Sequence, residues 1–124
     1  MAKHKFISLL AMASMSLAAL AAVPGPSTKA EVEQLLTRLA SSGCRFQRNG
    51  SWHNAAEARV HLQRKYRYLL GRQLVGTTED FISLAATQSS MSGKPYQVKC
   101  GNAQVTSDQW MSDQLKQVRA NATP

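Results

Sequence analysis

After Val23 the sequence has no apolar run long enough to cross a bilayer, so a membrane-spanning reading is confined to the extreme N-terminus. Cysteine is scarce: Cys44 and Cys100 are the whole supply, and they form no CxxC pair. Acids are scarce too, 7 against 15 Lys and Arg, for a formal charge of +8. No obvious carboxylate pair of the glycosidase kind stands out among them. The H-E-x-x-H, G-x-S-x-G, P-loop and Rossmann fingerprints are missing. His53 and His61 without a cysteine ligand make a poor zinc site. The sequence therefore predicts no enzyme, no cofactor and no metal centre. Helix-turn-helix, zinc-finger and ribonucleoprotein-type motifs are also missing, and the basic residues are scattered except around Arg64, Lys65 and Arg67. That argues against nucleic acid as a partner. There is no internal repeat and no low-complexity tract.

What is present begins with a leader. Lys3 and Lys5 precede an apolar, small-residue run from Phe6 to Ala22, and Ala19-Leu20-Ala21 has the small-x-small pattern of signal-peptidase cleavage. Residues 1–21 are expected to be a signal peptide, 22–26 a short linker, 27–120 one domain and 121–124 a frayed tail. An uncleaved anchor is the competing reading, but Val23-Pro24-Gly25-Pro26 ends the apolar run at once. No cysteine follows the cleavage region, which argues against a lipoprotein. Cleavage leaves about 100 residues, enough for one small domain. The mature chain remains basic, so in the periplasm it suits anionic partners such as cell-wall polymers, lipid head groups or acidic proteins. A merely solvated basic face is the alternative. Two cysteines bound for an oxidising compartment read as one structural disulfide between Cys44 and Cys100. A Cys–His nucleophile would need a free thiol.

Periodicity places the elements. Ser27 to Ala40 reads as a helix with a Thr28/Glu31 capping box, an inner face of Val32, Leu35, Leu36 and Leu39, and Gly43 as its stop. Cys44, Phe46 and Arg48 alternate with Arg45 and Gln47, and Asn49-Gly50 then signals a hairpin returning through Ser51, Trp52 and His53. Thr77 or Thr78 caps a shorter helix with Glu79 and Asp80 in its first turn and a predicted buried face of Phe81, Ile82, Leu84 and Ala85. A polar loop, Ser89 to Tyr96, leads into a strand of Tyr96, Val98 and Cys100. Gly101-Asn102 turns it back through Ala103 to Val105. Thr106 and Gln109 open a last helix facing inward with Trp110, Met111, Leu115 and Val118. The expected fold is α+β: about four helices on a small antiparallel sheet of two short hairpins, linked by one disulfide.

The most informative stretch is Asn54 to Leu70, a helix in which Asn54 and Glu57 have capping-box spacing. Ala55, Ala58, Leu62, Tyr66 and Leu69 share its apolar sector. Lys65 projects at the border of that sector, one turn after His61 and one before Tyr68. A lysine there needs a partner or an escape route for its head group. An ion pair with Glu31 or Asp80, and a backbone carbonyl partner for His61, are the structural explanations. The functional one joins three features. His61 and Lys65, at i and i+4, project together, and the serine-rich loop with Ser90, Ser92, Lys94 and Tyr96 would add hydroxyl and N–H donors. With Asn49 of the Arg48-Asn49-Gly50 turn, these form a candidate cup for a carboxylate or phosphate.

On Cys44-Arg-Phe-Gln-Arg-Asn-Gly50, Ala58-Arg-Val-His-Leu-Gln-Arg-Lys65, Glu79-Asp-Phe-Ile82, Ser89-Ser-Met-Ser-Gly-Lys-Pro-Tyr96, Cys100 and Trp110, the chain resembles an uncharacterised family of small secreted bacterial proteins. That resemblance implies an exported envelope protein and carries no activity with it. Ser92-Gly93-Lys94-Pro95-Tyr96 also looks like the S-G-x-x-Y loop by which several periplasmic lysozyme inhibitors enter their target. The expected function is a non-catalytic envelope protein that binds an anionic ligand or protein. The alternatives are a lysozyme-like hydrolase inhibitor and an assembly partner using an exposed apolar patch.

Overall fold

A computed structural model describes residues 21–122. Of the expected signal peptide only Ala21 falls within that range, and Thr123 and Pro124 of the expected tail lie outside it. The chain forms α1 (Pro26–Ser41), β1 (Arg45–Arg48), β2 (Ser51–His53), α2 (Ala55–Gly71), α3 (Thr78–Ala85), β3 (Gln97–Cys100), β4 (Ala103–Thr106) and α4 (Ser107–Ala122). The four strands make one antiparallel sheet in the order β2-β1-β3-β4, with Phe46 opposite both His53 and Val98. This is the expected α+β fold of four helices and two hairpins.

Local chemistry explains each join. Asn49 and Gly50 both adopt positive φ, the conformation a tight hairpin turn between right-twisted strands requires. Asn54 caps α2 by accepting from the Glu57 backbone N–H at 2.8 Å. Thr77 and Asp80 form a complete capping box on α3. Thr106 Oγ1 accepts from the Gln109 N–H at the start of α4. The Cys44–Cys100 disulfide, with Cα atoms 4.4 Å apart, joins β3 to the residue preceding β1.

Val32, Leu35, Leu36 and Leu39 of α1 meet Phe46 and Val98 of the sheet, Leu62 of α2, Phe81 of α3 and Met111 of α4 in one core. Each helix thus buries the apolar stripe that its period dictates.

Three expectations are corrected. Thr28 and Glu31 do not form a capping box: α1 starts at Pro26 after Gly25 with no side-chain cap. Thr28 Oγ1 instead donates to the Gly76 carbonyl, and Glu31 accepts from Thr78 Oγ1 and from Arg119. The Glu57 side chain takes His53 rather than reaching back to Asn54. Leu84 is 45% exposed, because eight residues of α3 present only Thr78, Phe81, Ile82 and Ala85 inward.

Candidate functional site

The edge of α2 singled out by its sequence meets the end of β1 and the loop that enters β3. The second turn of α2 carries His61 and the next carries Lys65, so both side chains reach the same side. Arg48 is the last residue of β1, two positions beyond buried Phe46, and the strand period turns it toward the same edge. Tyr96 precedes β3. Its ring is 1% exposed and packs on Phe46 at a centroid distance of 4.9 Å.

These four side chains form one chain of hydrogen bonds. Arg48 Nη1 lies 3.1 Å from His61 Nδ1, and a guanidinium can only donate, so Nδ1 accepts and the neutral ring carries its hydrogen on Nε2. Nε2–H then donates to the Tyr96 hydroxyl at 3.0 Å. Lys65 Nζ donates to the same hydroxyl at 3.0 Å and to the Gln88 carbonyl at 2.9 Å. The ammonium also sits 4.9 Å from the Tyr96 ring centroid, within cation–π range. With both lone-pair directions of Tyr96 taken, its own O–H finds no acceptor among the described residues. The cluster is rich in donors and poor in acceptors.

Its electrostatics follow from that composition. Burial, reinforced by the charges of Arg48, Lys65, Arg64 and His53, lowers the His61 pKa to about 4. Burial, then Arg48, also pulls Lys65 below its ordinary value. Burial raises Tyr96, with Arg48 opposing. Among the described residues no carboxylate pairs with Arg48 or Lys65. Glu31 and Asp80, the acids expected for Lys65, are engaged elsewhere: Glu31 with Thr78 and Arg119, and Asp80 with the backbone N–H groups of Gly76 and Thr77.

The loop residues divide. Ser92 Oγ donates to Asn49 Oδ1 at 2.6 Å, tying the β1–β2 turn to the loop. Buried Ser89 accepts from the N–H groups of Met91 and Ser92 and so holds the turn. Ser90, Ser92 and Lys94 are exposed, and Met91 at the tip is 95% exposed. Lys65 therefore does face the loop, through Gln88, but its contacts there are to Gln88 O and Tyr96 rather than to the serines.

A cleft of about 440 Å³ opens beside the cluster, between the β1–β2 hairpin and α2. Phe46, Ala58 and Val60 give it an apolar wall, and Arg48, His61 and Arg64 give it a basic side. His53 and Glu57 lie at its other end, 3.1 Å apart. The expected cup took Asn49 from its turn rather than Arg48, and did not include Arg64, Glu57 or Phe46 either. The signal for Arg48 was legible: a basic residue in register with Phe46 must point inward. Among the described residues no group of three or more His, Cys, Asp or Glu side chains could hold a metal ion, and no helix is long and apolar enough to cross a membrane.

Fold and site together define a small, disulfide-linked α+β domain with a basic edge beside a cleft, no carboxylate among the described residues pairing with Arg48 or Lys65. The chain belongs to the DUF5329 family, a family of unknown function that matches residues 26–119. It is also 41% identical over 71 residues to the uncharacterized protein YfeK of Salmonella typhimurium, an overlap of 55% of this chain and 56% of that protein. The chain thus spans little more than half the length of the curated relative it matches. No solved structure matches it.

Proposed function

We propose that the protein is exported to the periplasm and acts there as a non-catalytic binding protein, capturing an anionic ligand or acidic protein at the Arg48–His61–Lys65–Tyr96 edge. The observation that carries this reading is the pair of cations, Arg48 on His61 and Lys65 on the Tyr96 hydroxyl, with no carboxylate partner among the described residues. Like charges held this close are costly, and an incoming anion would relieve that cost while meeting donors already oriented by the fold. The signal-peptide pattern of residues 1–21 and the disulfide support an oxidising compartment.

An amide chemical-shift titration with phosphate and with soluble peptidoglycan fragments tests the reading. Saturable shifts at Arg48, His61, Arg64 and Lys65 that vanish in Arg48→Ala and persist in Arg67→Ala are expected. Shifts spread evenly over all surface lysines and arginines would reduce the edge to a solvated basic face.

The exposed loop tip favours a second reading, an inhibitor of a lysozyme-like hydrolase. Because Tyr96 is buried and its hydroxyl engaged, such an inhibitor would act through Ser92 and Lys94. Inhibition of lysozyme that disappears in Ser92→Ala would select this reading, and inactivity of the wild type would remove it.

A further inference from the structure

We infer that the cleft between the β1–β2 hairpin and α2 takes a short zwitterionic peptide, with its terminal carboxylate on Arg48 and Arg64 and its amino group on Glu57. The inference rests on the anionic-ligand reading and narrows it to a ligand class.

The order of side chains along α2 sets the polarity. Glu57, Val60, His61 and Arg64 all line the cleft, so they form one stripe of the helix. At a rise of ~1.5 Å per residue the acid and the arginine of that stripe stand ~10 Å apart along the axis. The hairpin runs alongside in the same sense. His53 opposite Phe46 lies at the acidic end, and Arg48, opposite Ser51 next to the turn, lies at the basic end. One residue of extended chain covers at most ~3.6 Å, so a single amino acid cannot reach both ends, whereas two or three residues can.

Both ends have capacity left. Arg48 directs Nη1 to His61, and its other N–H groups have no partner among the described residues. Arg64 is exposed. Glu57 engages His53 through Oε2 alone, and its side chain is 59% exposed. Between the charged ends, exposed Ala56 and Val60 offer an apolar surface for a small side chain. A cleft of about 440 Å³ is of the size that holds small ligands rather than polymers. A simple anion would leave the second carboxylate oxygen of Glu57 and the exposed Val60 uncontacted.

The test is a titration of the disulfide-bonded protein, followed by amide shifts and calorimetry, with trialanine, N-acetyl-trialanine, trialanine amide and inorganic phosphate. Trialanine is expected to bind best and to shift Arg48, Glu57, His61 and Arg64. Blocking either terminus should weaken it about fivefold, the change expected for losing one partly exposed ion pair. Glu57→Gln should erase the difference between trialanine and its acetylated form while leaving trialanine amide weak. Equal binding of free and acetylated peptide to the wild type, or binding of phosphate alone, overturns the zwitterion while leaving the anionic site standing. If none of the four probes moves these amides, both readings fall.

Discussion

The Tyr96 hydroxyl lies 3.0 Å from the ammonium of Lys65, a residue 31 positions earlier in the chain. That contact converts a misplaced-looking lysine on the apolar border of α2 into the pin that fixes the loop before β3 against the helix. The same hydroxyl accepts from His61, so one buried oxygen organises two side chains of α2 and, through His61, the arginine that ends β1.

Removing that oxygen should therefore be felt. Tyr96→Phe keeps the ring on Phe46 but leaves the His61 Nε2–H without its acceptor and Lys65 with the Gln88 carbonyl alone. A loss of about 1–3 kcal/mol is expected from urea unfolding. A variant as stable as the wild type would show that solvent already satisfies both donors.

Stability should also fall with acid through His61. Its folded pKa of about 4 lies below the ordinary 6.5, so the unfolded chain binds the extra proton more readily. The contribution is intact above pH 6.5, fades as the pH drops below that value, and is fully lost below about 4. After allowance for solvent screening the loss is on the order of 1–2 kcal/mol. Urea midpoints from pH 7.5 to 5 should decline for the wild type and stay flatter for His61→Gln. Parallel curves would mean that the histidine is freely solvated.

Reduction of Cys44–Cys100 releases a loop with a sequence separation of 56 residues. The chain-entropy model puts the cost at about 4 kcal/mol, a large share of the stability of so small a domain. Thermal melts with and without reductant should differ accordingly. Equal melting temperatures would show that the helices alone hold the sheet in place.

Glu31 clasps three helices, accepting from Thr78 of α3 at 2.6 Å and from Arg119 of α4 at 3.0 Å. Arg119 holds the Glu31 carboxyl below its usual range and also engages Glu79. Glu31→Ala should cost about 1–2 kcal/mol, and Arg119→Ala added to it should cost less than Arg119→Ala alone, since their shared contact is already gone and only the Arg119–Glu79 pair remains to be lost. Full additivity in chemical denaturation would separate them.

Much of this architecture was legible in the chain. Val32, Leu35, Leu36 and Leu39 repeat at the helical period, Asn49-Gly50 admits a tight turn, and Asn54, Thr77 and Thr106 sit where caps are needed. These are local constraints, set by dihedral preferences and by the direction each side chain must take. The two cysteines added one long-range fact, that β3 lies beside β1, and hence the order of the sheet.

The partners of polar side chains were not legible, because a hydrogen bond depends on which elements pack together rather than on spacing along one of them. Thr28 and Glu31 have the spacing of a cap, yet Gly76, Thr78 and Arg119 hold them because α3 and α4 pack on α1. Leu84 falls in an apolar helix yet faces solvent, since a helix of eight residues has one buried side. Sequence alone determined that His61 and Lys65 share an edge of α2. Only the tertiary structure decided that Tyr96 and Arg48 meet them there, because packing brought two donors, His61 and Lys65, onto one hydroxyl and a third, Arg48, onto the histidine, with no carboxylate among these four side chains.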